Sequence, residues 1–350
     1  MCSSDLIVPQ TFSVRTVRYI RPQMQRSFTT FWRPWRNHRQ KNNKNQIQIY
    51  KFKERTFPIG KGYKTMKLPF EIDLKGKVAV VTGGGGVLCS GFAKTLAACG
   101  AKVAVCDLRL EAAEAVAAEI RAEGGIAMGV AANVLERASM EAARDLITEA
   151  FGTCDILLNG AGGNNPRGQT TKEYLEPEDL ENVAEDVRTF FDLDPEGVGF
   201  VFNLNFLGTL IPTQVFARDM AKKTGTTIIN VSSMNSFRPL TKIPAYSGAK
   251  AAVSNFTQWL AVHFSKVGVR VNAIAPGFFI TKQNEALLLN ADGSYTPRSE
   301  KILAHTPMGR FGTPDDLTGT LLWLCDNDAS GFVNGVVVPV DGGFAAYSGV

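Results

Sequence analysis

Three polar residues in the sequence lie at a spacing that could support proton transfer. Tyr246 follows Ser233 by thirteen residues and Lys250 follows Tyr246 by four, so the tyrosine and the lysine would share one face of a helix. A tyrosine has a pKa of about 10 in water, and a neighbouring ammonium group lowers that pKa because it stabilises the phenolate. Tyr246 could then exchange a proton with a substrate oxygen to which Ser233 donates a hydrogen bond. Taken singly, each residue also has an ordinary structural role, so the surrounding elements must decide.

The elements that would position these residues alternate regularly along the chain: short apolar segments are followed by segments whose apolar residues have helical spacing. The predicted strands cover residues 77–83, 102–107, 126–133, 154–162, 226–233, 269–277 and 335–343. The predicted helices cover residues 88–100, 110–125, 136–151 and 244–265. Apolar strands bounded by helices indicate a parallel sheet that is covered on both faces. We therefore predict a single doubly wound α/β domain of the Rossmann type over residues 66–350.

The turn after the first predicted strand is rich in glycine and opens a helix. It reads "TGGGGVLCSG" over residues 82–91, and Gly83 would make the sharp turn. Free amide groups and the positive end of a helix dipole suit a pyrophosphate at such a place, although a glycine run can also be no more than a flexible turn.

Asp107 ends the second predicted strand, where a carboxylate can accept hydrogen bonds from the ribose hydroxyls of NAD. The same carboxylate would repel the 2′-phosphate of NADP. Arg109 is the one feature that favours NADP, and Asp107 could instead cap a helix. NAD is therefore the preferred cofactor in this prediction, and NADP stays open.

Together, the glycine turn, Asp107 and the Ser233/Tyr246/Lys250 spacing resemble the short-chain dehydrogenase/reductase family over residues 75–350. Further motifs of that family follow in order: "NGAG" (159–162), Asn205 in "NLNFLG", "NAIAPG" (272–277) and "VDGG" (340–343). The resemblance implies hydride transfer between the cofactor and a secondary alcohol or ketone. It also implies that Lys250 holds the nicotinamide ribose and that Asn205 orients a water molecule between Lys250 and solvent. The predicted catalytic set is therefore Asn205, Ser233, Tyr246 and Lys250.

By the same resemblance, a set of residues at the carboxyl ends of the strands is predicted to contact the cofactor. They are Gly83, Gly86, Leu88, Asp107, Asn133, Asn159, Ala161, Tyr246, Lys250, Pro276, Phe279 and Thr281. The chain departs from the family pattern at several positions here. Val87 and Cys89 stand where the family has glycines, Gly160 where it has asparagine, and Asn133 where it commonly has an acidic residue. These departures affect individual contacts and leave the prediction of a bound cofactor in place.

Two polar segments interrupt the alternation, residues 163–197 and 278–312, and are predicted to form the substrate side. Amide side chains there could bind substrate hydroxyl groups, and arginines could bind a carboxylate. The candidates are Asn164, Asn165, Asn235, Arg167 and Arg238, and each arginine could equally be an exposed loop residue. The first segment and the glycine turn also resemble a subgroup acting on sugar acids, described as D-mannonate oxidoreductase or fructuronate reductase. The alternatives are a reductase of another small ketone or polyol, or a dinucleotide-binding sensor without turnover.

The net charge of +5 is unevenly distributed along the chain. Residues 1–65 hold 14 Lys/Arg and 2 Asp/Glu, whereas the rest of the chain holds 24 and 31. The body is thus mildly acidic, and no nucleic-acid partner is predicted. The basic leader (residues 1–65) has three interpretations: an organellar transit peptide, a disordered arm, or sequence upstream of a working start at Met66.

The remaining predictions concern the environment of the protein. An uninterrupted apolar stretch of about 18 residues is absent from the sequence, so no membrane span is predicted. The six cysteines form no Cys-x-x-Cys pair, which predicts buried reduced thiols, no metal site and a cytoplasmic location. The substrate is predicted to be a small molecule. Members of the family usually assemble as homodimers or homotetramers through the helices that carry Asn205 and Tyr246.

Overall fold

The structure is a computed structural model that describes residues 72–181, 184–281 and 285–349. The basic leader lies outside these residues, so its three interpretations stay predictions. The described ranges include the whole predicted sheet and most of both segments that were predicted to form the substrate side.

Seven parallel strands form one sheet within the described ranges. They are β1 Val78–Thr82, β2 Lys102–Asp107, β3 Ile126–Ala131, β4 Ile156–Asn159, β5 Thr226–Val231, β6 Val269–Pro276 and β7 Val337–Val340. Their spatial order is β3-β2-β1-β4-β5-β6-β7. The chain therefore builds one half of the sheet outward from β1 and then returns beside β1 at β4. This doubly wound arrangement confirms the predicted Rossmann-type architecture.

Helices cover both faces of the sheet. They are α1 Val87–Ala98, α2 Leu110–Ala122, α3 Arg137–Phe151, α4 Pro195–Phe202, α5 Gly208–Met220, α6 Pro244–His263, α7 Glu285–Leu288, α8 Pro297–Ala304, α9 Pro314–Cys325 and α10 Asn327–Ser330. Short 3-10 turns lie at Pro166–Gly168, Pro177–Leu180, Phe190–Asp192, Met234–Ser236 and Ser265–Val267. Between α4 and α5 the chain forms a π-helical turn, Asn203–Leu207, and such turns often occur at functional sites.

The alternation of side chains along each strand divides the core into two layers. In β1, Ala79 and Val81 belong to the layer with α1, α2 and α9, whereas Val78 and Val80 belong to the layer with α3, α5 and α6. All four side chains are buried, and burial of a valine contributes about 1.5–3 kcal/mol. Because both faces are covered, the strands form a rigid base for the loops at their carboxyl ends.

The strand order reverses between β1 and β4, which is where open α/β sheets bind ligands at the carboxyl ends of the strands. Gly83 directly follows β1, Asp107 ends β2, and Ser233 lies two residues after β5. The fold therefore brings the predicted cofactor loop and the predicted catalytic residues to the same edge of the sheet.

One helical run in the described residues, Pro195–Met220, is long and apolar enough to cross a membrane by length and composition alone. Half of its most apolar window is buried inside the fold. This burial is what a core helix requires. The sequence prediction of no membrane span considered uninterrupted apolar stretches only and did not single out this run.

The five cysteines in the described residues are buried and free. They are Cys89, Cys99, Cys106, Cys154 and Cys325. Burial raises the pKa of the Cys89 and Cys106 thiols to about 12. The prediction of buried reduced thiols is confirmed for these five residues.

Candidate active site

The side chains of Ser233 and Tyr246 meet at the carboxyl end of β5, close enough for the Ser233 hydroxyl group to affect the pKa of Tyr246. Ser233 begins the 3-10 turn Met234–Ser236, and its Oγ accepts the amide hydrogen of Asn235 at 3.3 Å. Tyr246 lies in the first turn of α6, which begins at Pro244, a residue well suited to the start of a helix. The predicted spacing thus brings the two hydroxyl groups together, one from each side of the loop between β5 and α6.

Burial raises the pKa of Tyr246 because desolvation disfavours the phenolate, and the nearby Ser233 hydroxyl group opposes that rise without overcoming it. In the protein alone, Tyr246 therefore holds its proton. The influence of the Lys250 ammonium on Tyr246 stays a prediction.

Lys250 lies one helical turn beyond Tyr246 and is 4% exposed. Its Nζ donates to the carbonyl oxygen of Val231 at 2.9 Å and lies 5.6 Å from the centre of the Tyr246 ring. Burial lowers the pKa of Lys250 to about 8. A buried lysine with this pKa and one backbone partner is typical of a functional site.

Asn205 lies in the π-helical turn and is fully buried. Its Nδ2 donates to the carbonyl oxygens of Gly163 and Val201, each at 2.8 Å, and its Oδ1 accepts the amide hydrogen of Gly163 at 3.3 Å. A Cβ atom at Gly162 would lie 2.6 Å from that Oδ1 and 3.2 Å from the Lys250 Nζ. Asn205 and Lys250 therefore flank Gly162, and the water-orienting role of Asn205 stays a prediction.

The glycine turn packs tightly between the ends of β2 and β4. Gly83 has a φ of +64°, and a Cβ atom there would lie 2.8 Å from the Cα of Ala161. The amide of Gly84 donates to the carbonyl of Cys106 at 2.9 Å. Helix α1 then begins after Gly86, which provides no side-chain cap, and its first turn has no acidic residue. The first amides of α1 are thus left for an anionic ligand.

Asp107 contacts the glycine turn directly. One carboxylate oxygen accepts the amide hydrogen of Gly85 at 3.1 Å, and the other accepts that of Arg109 at 3.1 Å. The residue that caps α2 is Arg109. Asp107 is therefore placed beside the predicted phosphate loop, as a ribose-binding carboxylate requires.

Two departures from the family pattern, Cys89 and Gly160, compensate each other in volume. A Cβ atom at Gly160 would overlap the sulfur of Cys89 and would lie 2.9 Å from the carbonyl oxygen of Thr82. The Thr82 Oγ1 also accepts the amide hydrogens of Gly160 and Ala161, at 3.1 and 3.3 Å. The thiol on α1 thus fills the space that a side chain would need at position 160.

Two predicted cofactor residues use their side chains elsewhere. Asn159 is 1% exposed, and its Nδ2 donates to the Thr213 Oγ1 and the Asn230 Oδ1 at 3.0 and 2.9 Å. This places its amide in the core layer under α5, so a contact between Asn159 and a cofactor would use the backbone, and that contact stays a prediction. Asn133 forms the turn that precedes α3, in which its Oδ1 accepts the amide hydrogen of Leu135 and its Nδ2 donates to Glu136.

A further group of predicted cofactor residues lies at the end of β6 and in the loop that follows it. Pro276 ends that strand, and Phe279 is buried with its ring against Gly312. The chain beyond Phe279 leads to Thr281, which is half-buried. The contacts of these positions with a cofactor stay a prediction. Leu88, in the first turn of α1, is also half-buried.

The two candidate arginines on the substrate side differ in their partners. Arg167 pairs with Asp194 and with Glu196, so two carboxylates already surround its guanidinium group. Arg238 donates from Nε to the carbonyl oxygen of Ala345 at 3.0 Å. Among the described residues, no carboxylate pairs with Arg238. The structure therefore separates two residues that the sequence could not distinguish.

The three candidate asparagines also differ. Asn164 and Asn165 use their Oδ1 atoms within their own loop, where each accepts a backbone amide hydrogen, from Asn165 and from Arg167, at 2.9 Å. Asn235 is 5% exposed, and its Oδ1 has no hydrogen-bond partner in the described part of the chain. An unpaired buried acceptor costs about 1–3 kcal/mol, which makes Asn235 the asparagine with most to gain from a ligand.

Sequence reasoning missed two connections on the substrate side. Lys301 in α8 pairs with Glu173, which joins the two long segments to each other. The C-terminal tail reaches Arg238 through Ala345. The glycine pair in "VDGG" was a usable signal for the second connection, since Gly342 and Gly343 have φ values of +65° and +91° and turn the chain back.

Comparisons with known proteins agree with this site. The family model described as short chain dehydrogenase matches residues 77–291. An uncharacterized oxidoreductase of Haemophilus influenzae is 58% identical over 286 residues, which cover 82% of this chain and 99% of the relative. An uncharacterized oxidoreductase of Bacillus subtilis is 54% identical and covers 81% of this chain and 100% of its own length. A crystal structure from Haemophilus influenzae, described as a candidate D-mannonate oxidoreductase with bound NAD, is 59% identical with a TM-score of 0.76, over 80% of this chain and 98% of that one.

Proposed function

The chain belongs to the short chain dehydrogenase family, and on that premise we propose that it transfers hydride between NAD and a secondary alcohol of a small sugar acid. The observation that carries the proposal is the meeting of the Ser233 and Tyr246 hydroxyl groups, with the Lys250 Nζ 5.6 Å from the tyrosine ring. A serine donor, a tyrosine proton carrier and a buried lysine at one strand end form a complete site for proton exchange with a substrate oxygen.

The residues around the glycine turn fit a dinucleotide. The uncapped start of α1 offers amides for the pyrophosphate, and Asp107 stands beside the turn for the adenosine ribose. A side chain at Gly83 or Gly84 would collide with its neighbours, so the turn is shaped for close approach. Bound NAD supplies or accepts the hydride. The NAD in the Haemophilus structure, which is 59% identical, supports NAD over NADP.

The proton is handled by the chain itself. In ketone reduction, Tyr246 donates its proton to the carbonyl oxygen while the Ser233 hydroxyl stabilises the charge that develops there. In alcohol oxidation, Tyr246 must first lose that proton, and burial opposes this step. A charged Lys250 then favours the phenolate, and its pKa of about 8 places this charge change close to neutral pH.

A sugar acid is the proposed substrate class. The relative described as a candidate D-mannonate oxidoreductase supports this class. On this chain, Asn235 offers a buried acceptor oxygen for a hydroxyl hydrogen, and Arg238 offers a cation for a carboxylate. Asn164 and Asn165 lie in the loop after β4, where their Oδ1 atoms bind the backbone. Their Nδ2 groups could donate hydrogen bonds to further hydroxyl groups of the substrate.

We also propose that the protein forms a homodimer or homotetramer in the cytoplasm. The outer surface of α4, of the π-helical turn and of α6 exposes large apolar side chains. They are Phe200, Phe202, Leu207, Trp259 and Val262. The Phe256 ring stacks on Trp259, which stacks on His263, so the patch is a preformed aromatic surface suited to a second copy.

A substrate panel tests the proposed function. Purified protein is offered aldonates, uronates, neutral ketoses and polyols, each with NAD and NADP in both directions, and absorbance of the reduced cofactor is recorded. We expect NAD-linked turnover of an aldonate or of the matching keto acid. Turnover of neutral ketones or polyols alone would favour the alternative reductase. Tight NADH binding without oxidation by any carbonyl compound would favour the sensor.

A further inference from the structure

We propose that the C-terminal tail, residues 341–349, positions Arg238 so that its guanidinium group binds the carboxylate of the substrate. This inference deepens the proposed function and rests on it. It assigns the carboxylate to one arginine, excludes the other, and makes Asp341 a positioning residue that acts through Arg238.

Arg238 is carried by the turn that begins at Ser233. The amide hydrogens of Phe237 and Arg238 both donate to the carbonyl of Met234, at 3.0 and 3.1 Å, so the chain stays in a compact helical turn after the catalytic serine. The turn therefore carries Arg238 on the same loop as the catalytic serine, between β5 and α6.

Hydrogen bonds and an aromatic contact hold the tail in place near Arg238. The Asp341 carboxylate accepts the amide hydrogens of Gly343 and Ala345, at 2.9 and 2.8 Å, and so fixes the turn that follows β7. The Phe344 ring packs edge to face on Phe278 with 5.2 Å between ring centres. The carbonyl of Ala345 is thereby held in place to accept the Arg238 Nε.

Arg167 and Arg238 differ in whether a carboxylate of the protein already pairs with them. This difference decides which of them can bind the carboxylate of the substrate. Asp194 and Glu196 neutralise Arg167 and occupy its hydrogen-bond donors. A neutral carbonyl orients Arg238 through one donor and leaves its positive charge uncompensated within the described residues. The two terminal amino groups of Arg238 then present the planar fork that binds a carboxylate through two parallel hydrogen bonds.

The test compares binding of an aldonate and a neutral polyol of equal length to the complex of protein and NADH, by titration calorimetry. D-mannonate, D-gluconate and D-mannitol are the probes. Arg238→Ala should weaken binding of the better aldonate by about ten- to a hundredfold, the equivalent of one hydrogen bond to a charged group. D-mannitol binding should change less than threefold. Arg167→Ala is the matched control and should affect neither probe selectively.

Asp341→Asn and Arg238→Lys test the positioning step. Both should weaken aldonate binding selectively, because the first loosens the Ala345 carbonyl and the second lacks an Nε for it. The double variant Asp341→Asn/Arg238→Ala should bind the aldonate no more weakly than Arg238→Ala alone, whereas a merely structural role for Asp341 would give additive losses.

Either of two results overturns the inference: equal losses for aldonate and polyol in Arg238→Ala, or a wild-type protein that binds neither aldonate more tightly than the polyol. Turnover in the substrate panel is measured separately. NAD-linked oxidation of alcohols that persists while the aldonate preference is missing would reject the Arg238 assignment and leave hydride transfer standing. Absence of all turnover would instead reject the proposed function.

Discussion

The sulfur atom of Cys89 occupies the space that a Cβ atom at Gly160 would take. Cys89 lies in the first helix after the glycine turn, and Gly160 follows the strand beside it. The family pattern has the larger residue on the other side of this contact, with glycine on the helix and asparagine after the strand. The glycine turn therefore keeps its packing through an exchange of volume between two segments that are about 70 residues apart in the chain.

A double-mutant cycle tests this exchange. Gly160→Ala should lower the free energy of unfolding by about 1–3 kcal/mol, since overpacking strains a closely packed site. The same change in a Cys89→Ala background should cost at least about 1 kcal/mol less. Relief will be partial because the Thr82 carbonyl stays 2.9 Å from the new Cβ. Urea unfolding measures the cycle, and Cys154→Ala, which removes a buried thiol from the other core layer, is the control that should give no relief.

The stability of the protein should depend on pH through Lys250. Burial lowers its pKa from 10.5 to about 8, so between these values the unfolded chain binds a proton that the folded chain does not. The free energy of unfolding contributed by this group therefore rises with pH from about 8 to 10.5, by up to a few kcal/mol. Below pH 8 both states are protonated and the full cost of burying the charge remains.

Comparison with Lys250→Met isolates that contribution. Buried cysteines such as Cys106 have raised pKa values and lower the stability at alkaline pH, but they are present in both proteins and cancel in the difference. The Lys250 charge lowers the pKa of Cys89, so the comparison is made in a Cys89→Ala background. Unfolding free energies at pH 7.5, 8.5 and 9.5 should show the wild type gaining on the variant as pH rises. A constant difference over this interval would contradict the lowered pKa.

The fold and the grouping of the candidate catalytic residues could be predicted from the sequence because both depend on local pattern. Apolar strands and the four-residue spacing of Tyr246 and Lys250 are visible in the chain itself. The partners of the arginines were not predictable in this way. Arg167 is neutralised by Asp194 and Glu196, which lie 27 and 29 residues later, and only the folded loop shows that pairing.

The direction of the Asn159 side chain was predictable for a different reason. Its position at the end of a strand was identified from the sequence, but the face of the sheet that it occupies was not considered. Successive side chains alternate between the two faces of a sheet, and Leu157 on the same strand belongs to the layer under α5. That alternation was enough to place the Asn159 amide in the core rather than beside a cofactor.

Removal of the Asp107 charge should change cofactor discrimination. Asp107→Ala should weaken NAD binding by about ten- to a hundredfold through lost hydrogen bonds to the ribose, and should weaken NADP binding less because the repulsion of the 2′-phosphate is gone. Asp107→Asn is the more informative variant, since its amide oxygen can still accept the Gly85 amide hydrogen while the charge is absent. Fluorescence titration with NADH and NADPH measures both constants. A ratio of the two constants that is unchanged in both variants would reject the ribose role.

Loss of the Tyr246 hydroxyl should remove turnover and spare cofactor binding. Tyr246→Phe keeps the ring that lies 5.6 Å from the Lys250 Nζ but removes the hydroxyl group beside Ser233. A positioned proton donor contributes about 10²–10⁴-fold to the rate, so kcat should fall by at least that factor, while the dissociation constant of NADH should stay within about threefold.

Ser247→Ala, one residue further along the helix, is the matched control. Its Oγ is buried without a hydrogen-bond partner in the described ranges, so its removal should leave kcat near the wild-type value. Turnover of Tyr246→Phe close to that of Ser247→Ala would show that proton transfer takes place elsewhere in the site.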